Sequence, residues 1–214
     1  MARVTREEIE KLVGGEHHDP HGVLGAHPER EGVTVRALRP LAERVEVVLP
    51  NGDRHKLRHY HEGVFVGTLP PEASLAGDSS DTAPLAVPDY RLAVTYGDGD
   101  ELIQDDPYRH LPTLGELDLH LIGEGRHERL WEALGARVMR HEGVDGTAFT
   151  VWAPNARGVR VVGDFNHWNG CGHPMRSLGR SGVWELFVPG VGPGTKYKYE
   201  ILGADGVWRT KADP

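Results

Sequence analysis

The chain has almost no cysteine, no long apolar run and no surplus of positive charge, and each shortage closes off a class of protein. Cys171 is the single cysteine in 214 residues, so no disulfide forms within the chain and a reducing compartment, the cytoplasm, is the expected home. The formal net charge is -8 and the isoelectric point lies near 5.9. Nucleic acid and anionic membranes both call for a cationic surface, so neither is expected as a partner, whereas a neutral ligand is compatible with that charge. No apolar run approaches membrane-spanning length, and the first residues, MARVTREEIEKL, are charged where a signal peptide would be apolar. What is plentiful is turn-forming residues, with Gly 28 and Pro 15. Together with short apolar runs they favour an all-β chain, long enough for one large or two small domains.

Taken in order, Thr5-Arg6-Glu7-Glu8 is a capping box that starts a short helix with Ile9, Leu12 and Val13 on one face, ended at Gly14-Gly15. The histidines that follow, His17, His18, His21 and His27 with Asp19, have the residue types of a zinc site. Asp19-Pro20 breaks any helix that would align His17 with His21, so loop hydrogen bonding is expected here and no metal site. From Gly32 the apolar residues alternate as in strands: Val33, Val35 and Ala37, then Val45 and Val47, with Asn51-Gly52 as a hairpin signal. Pro70 to Pro88 reads as a long loop. Gly115 to Arg137 changes period, with Leu130, Trp131 and Leu134 on one helical face. It is expected to be a connector in which Trp131 is a packing anchor.

From Gly143 the strand pattern returns and repeats the first. Val35–Val48 aligns without gaps on Phe149–Val162, GVFVGTLP at Gly63–Pro70 on GVWELFVP at Gly182–Pro189, and Tyr90–Pro107 on Tyr197–Pro214. Three collinear blocks make the chain two copies of one module. The expected fold is therefore all-β. Two tandem immunoglobulin-like β-sandwich modules, at 1–110 (with the short leading helix) and 143–214, are joined by a loop and helical connector at 111–142.

The copies differ at VRVVGDFNHW, Val159 to Trp168, where the second has Asp164, Asn166 and Trp168 in a polar turn. They differ again at Trp208, where the first copy has Glu101. An indole in a polar turn offers an apolar face to a sugar ring, with amides and lysine nearby as hydrogen-bond donors. The same two rings would also serve to roof the ends of a sandwich. Since the first copy lacks both, the shared fold does not require them, and that favours ligand contact. Lys198 alternates with Tyr197 and Tyr199, so it points outward if the tyrosines are core.

FTVWAPNARGVRVVGDFNHWNG, GVWELFVPG and TKYKYEILGADGVW resemble the glycogen- and starch-binding module that precedes the catalytic barrel of α-glucan-processing enzymes, and that of the glycogen-binding subunit of an energy-sensing kinase. HHDPHGVLGAHP and LPTLGELDLHLIGEGRHERLWEALGA are similar to the first N-terminal domain and connector of bacterial glycogen branching enzymes of the actinobacterial type. The resemblance implies a 1,4-α-glucan branching enzyme, which cuts an α-1,4 chain, holds it as a glycosyl ester on an aspartate and transfers it to a 6-hydroxyl. The carboxylates for that chemistry would lie on a C-terminal barrel, the partner implied by the resemblance, and the 214 residues carry no barrel pattern. No catalytic residue and no cofactor are therefore expected here. The residues matching the module's glucan site are Trp168, Lys198 and Trp208, with Asn166 beside them, and the implied ligand is α-1,4-glucan, as glycogen or maltooligosaccharides. A stand-alone glycogen-binding or targeting protein, and a structural brace that binds no sugar, remain as alternatives.

Overall fold

The computed structural model describes residues 4–29, 32–70, 87–97 and 99–213. Most of the loop expected across Pro70 to Pro88 lies outside them. Two compact units are present, one of residues 4–9 and 21–109, the other of residues 10–20 and 110–213. The division falls inside the first helix, α1 (Arg6–Gly14). Its capping box forms as expected: the Glu8 amide donates to Thr5 Oγ1 at 3.2 Å and the Thr5 amide donates to Glu8 Oε2 at 2.7 Å.

The first unit is one antiparallel seven-stranded sheet in the order β1-β2-β5-β4-β3-β6-β7. Its strands are β1 (Gly25–Glu29), β2 (Gly32–Leu38), β3 (Arg44–Val48), β4 (Arg54–His61), β5 (Val64–Leu69), β6 (Arg91–Thr95) and β7 (Leu102–Gln104). The sheet folds over through β4, whose first half pairs with β3 and whose second half pairs with β5. Between the two layers lie Val33, Val35, Ala37, Val45, Val47, Phe65, Leu92 and Val94, all buried as the alternation requires. Each such valine contributes roughly 1.5 kcal/mol or more by leaving water.

The second unit is a two-sheet sandwich. Its sheets are β10-β13-β14 and β11-β12-β9-β8, from β8 (Gly135–His141), β9 (Val144–Trp152), β10 (Gly158–Gly163), β11 (Arg176–Ser177), β12 (Val183–Pro189), β13 (Tyr197–Leu202) and β14 (Trp208–Lys211). The repeat holds strand by strand: β2 and β5 pair as β9 and β12 do, and β3, β6 and β7 pair as β10, β13 and β14 do. Between the sheets Phe149 meets Phe165 and Tyr197 at ring separations of 5.5 and 5.0 Å, and the Tyr199 hydroxyl donates across to the Thr150 carbonyl at 3.2 Å.

The connector is built into this unit. Residues 135–141, read as connector from the sequence, form edge strand β8, and helices α2 (Glu116–Gly123) and α3 (Leu130–Ala133) precede it. Leu114, Ile122, Ala133, Leu178 and Val183 make a small core of their own. Trp131 is not the expected anchor, for it is 72% exposed. With α3 only one turn long and Ala133 facing inward, a residue two positions away is turned by about 200° to the solvent side. No helix among the described residues is long and apolar enough to cross a membrane.

Candidate functional site

The candidate residues all belong to the three-stranded sheet of the second unit and the turn leaving it. Strand alternation sorts that sheet into two faces. Val159, Val161, Tyr199 and Ile201 face the core, while Gly158, Arg160, Val162, Lys198, Glu200, Leu202 and Trp208 are on the outer face. As expected from the alternation, Tyr199 is buried and Lys198 exposed. Burial pushes the Tyr199 hydroxyl well above the usual phenol range, with the Asp213 charge adding to the effect.

β10 ends in a tight turn, Asp164–Asn166, followed by His167 and Trp168, and the turn is closed by its own side chains. The Asn166 amide is used within it: Oδ1 accepts from the Gly163 amide at 2.9 Å, Nδ2 donates to the Val161 carbonyl at 3.0 Å, and the same nitrogen lies 3.3 Å from His173 Nδ1. Asp164 ties the turn to the start of β13 through the Lys196 amide at 3.1 Å and accepts from Trp168 Nε1 at 3.1 Å. His167 and Trp168 both have left-handed backbones, with φ of 53° and 60°. Two successive non-glycine residues in that region cost about 1 kcal/mol or more each, and such strain collects where a side chain must be displayed. The side chain displayed is the Trp168 indole, 42% exposed and anchored by its ring nitrogen.

Trp208 is placed differently. It opens β14 after a turn in which the Arg209 guanidinium and the Val207 amide hold the Asp205 carboxyl down at about 2. The ring is half-buried, with the Arg160 guanidinium 4.2 Å from its centre. Arg160 is itself fixed by Nε donating to Glu200 at 2.5 Å and Nη1 to Cys171 Sγ at 3.2 Å. The row holding Arg160 and Glu200 stands between Trp208 and Lys198. From Leu202, which faces Trp208, to Lys198 the strand runs about 13 Å. Asn166 and Trp168 thus share a turn, Lys198 and Trp208 share a sheet face, and an ion pair interrupts that face.

Sequence reasoning missed Arg160. Its alternation with Val159 and Val161 marks it as outward-facing, but only the register, Arg160 opposite Glu200, reveals that it is held over Trp208. Among the N-terminal histidines, His17 Nδ1 accepts from the Asp19 amide at 3.2 Å and His27 Nε2 meets the Leu24 carbonyl at 2.9 Å. No group of three or more His, Cys, Asp or Glu side chains is gathered for a metal among the described residues.

Comparison with known proteins finds two separate family matches along the chain. Residues 5–108 match the family described as alpha-1,4-glucan branching enzyme GlgB, N-terminal domain. Residues 133–214 match carbohydrate-binding module 48, the isoamylase N-terminal domain. The chain is 64% identical over 218 residues to the 1,4-alpha-glucan branching enzyme GlgB of Thermobifida fusca strain YX, covering 100% of this chain and 27% of that protein. It is 58% identical to GlgB 2 of Streptomyces coelicolor, covering 95% of this chain and 26% of that one. With GlgB of Kitasatospora aureofaciens the identity is 58%, over 99% of this chain and 26% of that one. The chain spans about a quarter of the length of these curated relatives.

Proposed function

We propose, for a chain whose two modules belong to the glucan branching enzyme N-terminal-domain family and the carbohydrate-binding module 48 family, that it is the non-catalytic N-terminal portion of a cytoplasmic 1,4-α-glucan branching enzyme. Its second module contacts α-1,4-glucan weakly and keeps it near a catalytic barrel carried elsewhere in the parent protein. The observation that carries this reading is the Trp168 turn, in which a strained, internally bonded loop displays an indole with its ring nitrogen already satisfied. Such a ring is held ready for the apolar face of a glucose unit and loses little freedom on binding. Lys198 supplies an exposed donor. Asn166, whose amide is engaged by the turn, acts as the support of Trp168 rather than as a sugar contact.

The magnitude expected is small. An aromatic contact adds about 0.5–1.5 kcal/mol beyond area burial, and a site of one or two rings with a few hydrogen bonds gives a dissociation constant on the order of 1 mM. On a polymer that offers many such sites, weak contacts still retain the protein. Affinity electrophoresis in glycogen-containing gels tests the reading. Trp168→Ala is expected to reduce retardation by roughly two- to tenfold in apparent affinity, and retardation equal to wild type would remove Trp168 from the site. The purified chain is expected to form no α-1,6 linkages, and their formation from amylose would overturn the non-catalytic assignment. A bracing role is favoured for part of the second module by one observation, the engagement of Trp208 by Arg160.

A further inference from the structure

Residues 15–18 run along the second unit as a strap, and two of the residues that seat it, Gly158 and Trp208, differ from their counterparts in the first module. Gly15 abuts the benzo edge of Trp208: a Cβ on Gly15 would lie 2.8 Å from Cζ2 of that ring. Gly15 also has φ of +75°, so both space and backbone call for glycine there. The Gly15 carbonyl rests on the bare α-carbon of Gly158 in β10, where a Cβ would come within 1.9 Å of the oxygen. Glu16 pairs with Arg157 at 2.5 Å. The His18 carbonyl accepts from the Ser177 amide at 2.8 Å, and its imidazole meets the Trp184 ring edge-on at 5.2 Å. The strap therefore touches β14, β10, β11 and β12 in turn.

In the repeat alignment Gly158 corresponds to Arg44 and Trp208 to Glu101. In the first module those two residues face each other at 3.9 Å, with Arg54 bonded to Glu101 at 2.7 Å. An arginine at position 158 would fill the space that the Gly15 carbonyl takes. The difference between the copies at these positions is accounted for by the strap, without any sugar.

We infer that the Gly15–His18 strap is an internal cover for the sheet face bearing Trp208, which keeps α-glucan off that ring until the strap lifts. The inference rests on the reading of the second module as glucan-contacting, and it deepens it. In the seated state Trp168 is the open one of the two candidate rings. Lifting the strap uncovers the Cζ2–Cη2 side of the Trp208 ring, while Arg160 keeps its place over the ring centre, and a glucan chain gains that part of a second aromatic ring. The Glu16–Arg157 pair, with both side chains nearly half exposed, adds little to the hold on the strap, which rests on the Ser177 bond and on contact with the Trp184 and Trp208 rings.

Gly158→Ala in the full chain is the test. Gly158 lies within a strand, so alanine fits its backbone, and the added methyl collides with the Gly15 carbonyl alone among close backbone atoms. Hydrogen exchange at the Ser177 amide, which donates to the strap, is expected to quicken at least tenfold, while the amides of β12 and β13 stay protected. Retardation in glycogen gels is expected to rise severalfold, and the gain should vanish in the Gly158→Ala, Trp208→Ala double variant. Gly15→Ala lifts the strap from its other side and is expected to give the same pair of changes, which covers the case in which Gly158→Ala disturbs the sheet. Unchanged Ser177 exchange in both variants would overturn the strap as a separable element. Faster exchange with no gain in retardation would overturn the cover. In either case, a wild-type retardation still lowered by Trp168→Ala leaves the glucan reading standing, and one that Trp168→Ala does not change removes that reading by itself.

Discussion

In the first module the strand after β3 runs for eight residues and pairs with both layers, joining them through β4. Its counterpart in the second module is much shorter: β11 is two residues long and pairs with β12. Just before it His173–Met175 makes a brief bridge to β10, the Val161 amide donating to the His173 carbonyl at 3.3 Å and the Met175 amide to the Val159 carbonyl at 2.8 Å. The chain thereby released, Asp164 to Gly172, becomes the turn that carries Trp168 and the loop that follows it. One copy spends this segment on closing its own sheet, and the other spends it on display. The second copy then holds its layers together with the Phe149, Phe165 and Tyr197 rings and the Tyr199 hydroxyl bond, beside the short 173–177 segment that touches both sheets. Two sequences with one strand plan can therefore differ in what they display through a single connection, because the core residues that define the plan lie elsewhere.

The outer faces differ in the same direction. In the second module the connector lies over the four-stranded sheet, and a buried acid pins it there. Glu185, fully buried, accepts from Arg176 Nε at 2.7 Å and from the Thr113 amide and hydroxyl at 3.0 and 2.9 Å, and Arg176 in turn donates to the His110 carbonyl at 3.1 Å. The aligned residue of the first module is Val66, half-exposed on its strand. Replacing Glu185 by alanine strands the Arg176 charge and should cost about 3–5 kcal/mol, the largest single effect expected here. All five tryptophans, at 131, 152, 168, 184 and 208, lie in the second unit. Urea unfolding followed by tryptophan emission should therefore move to much lower denaturant. An unmoved midpoint would mean that the connector is held by its apolar contacts alone.

Both modules are closed by one bond of the same kind, a tyrosine donating to an aspartate: Tyr90 to Asp106 Oδ2 at 2.7 Å in the first, and Tyr197 to Asp213 in the second. The environments differ, with Tyr90 and Asp106 fully buried and Tyr197 half-buried. Burial, and then the Asp106 charge, push the Tyr90 hydroxyl well above the phenol range. The folded state therefore keeps this proton to higher pH than the unfolded chain does. Its stabilisation is complete below about pH 10, the unfolded tyrosine value, and is lost as the pH rises beyond it. Tyr90→Phe should lower stability near neutral pH by about 1.5–3 kcal/mol, since it removes a donor from a buried carboxylate. It should also flatten the alkaline decline by up to about 1.4 kcal/mol per pH unit. Tyr197→Phe should do less on both counts. Circular dichroism for the first module and tryptophan emission for the second separate the two, and equal losses would erase the distinction in burial.

The doubled fold was legible because alternation and repeat are local signals: Val33, Val35 and Ala37 in one copy and Val159 and Val161 in the other announce their buried faces at spacing two. The outward direction of Lys198 followed from the same rule. What was not legible depended on register and on distant chain. That Arg160 lies over Trp208 needs the pairing of β10 with β13. That Gly15 abuts the same ring needs the N-terminal segment brought to a strand more than a hundred residues away, and no periodicity encodes that. The connector was misjudged at Trp131 because a one-turn helix has too few residues to define a face.

The smallest effects test the division of labour inside the turn that the second module has and the first lacks. Asn166 makes its hydrogen bonds to backbone that is largely shut from water, so Asn166→Ala leaves the Gly163 amide and the Val161 carbonyl without those partners and should cost about 1–2 kcal/mol. Trp168 gives up one bond to Asp164 and an exposed ring, so Trp168→Ala should cost under about 1 kcal/mol. Glucan retention should rank them differently. Trp168→Ala removes the platform from an intact turn, whereas Asn166→Ala leaves the platform on a loosened one. In gels run well below the unfolding transition, Asn166→Ala should therefore keep part of the retardation that Trp168→Ala loses. If Asn166→Ala abolished retardation while Trp168→Ala did not, the amide rather than the indole would be the sugar contact, and the turn's internal bonding would have to open for glucan to bind.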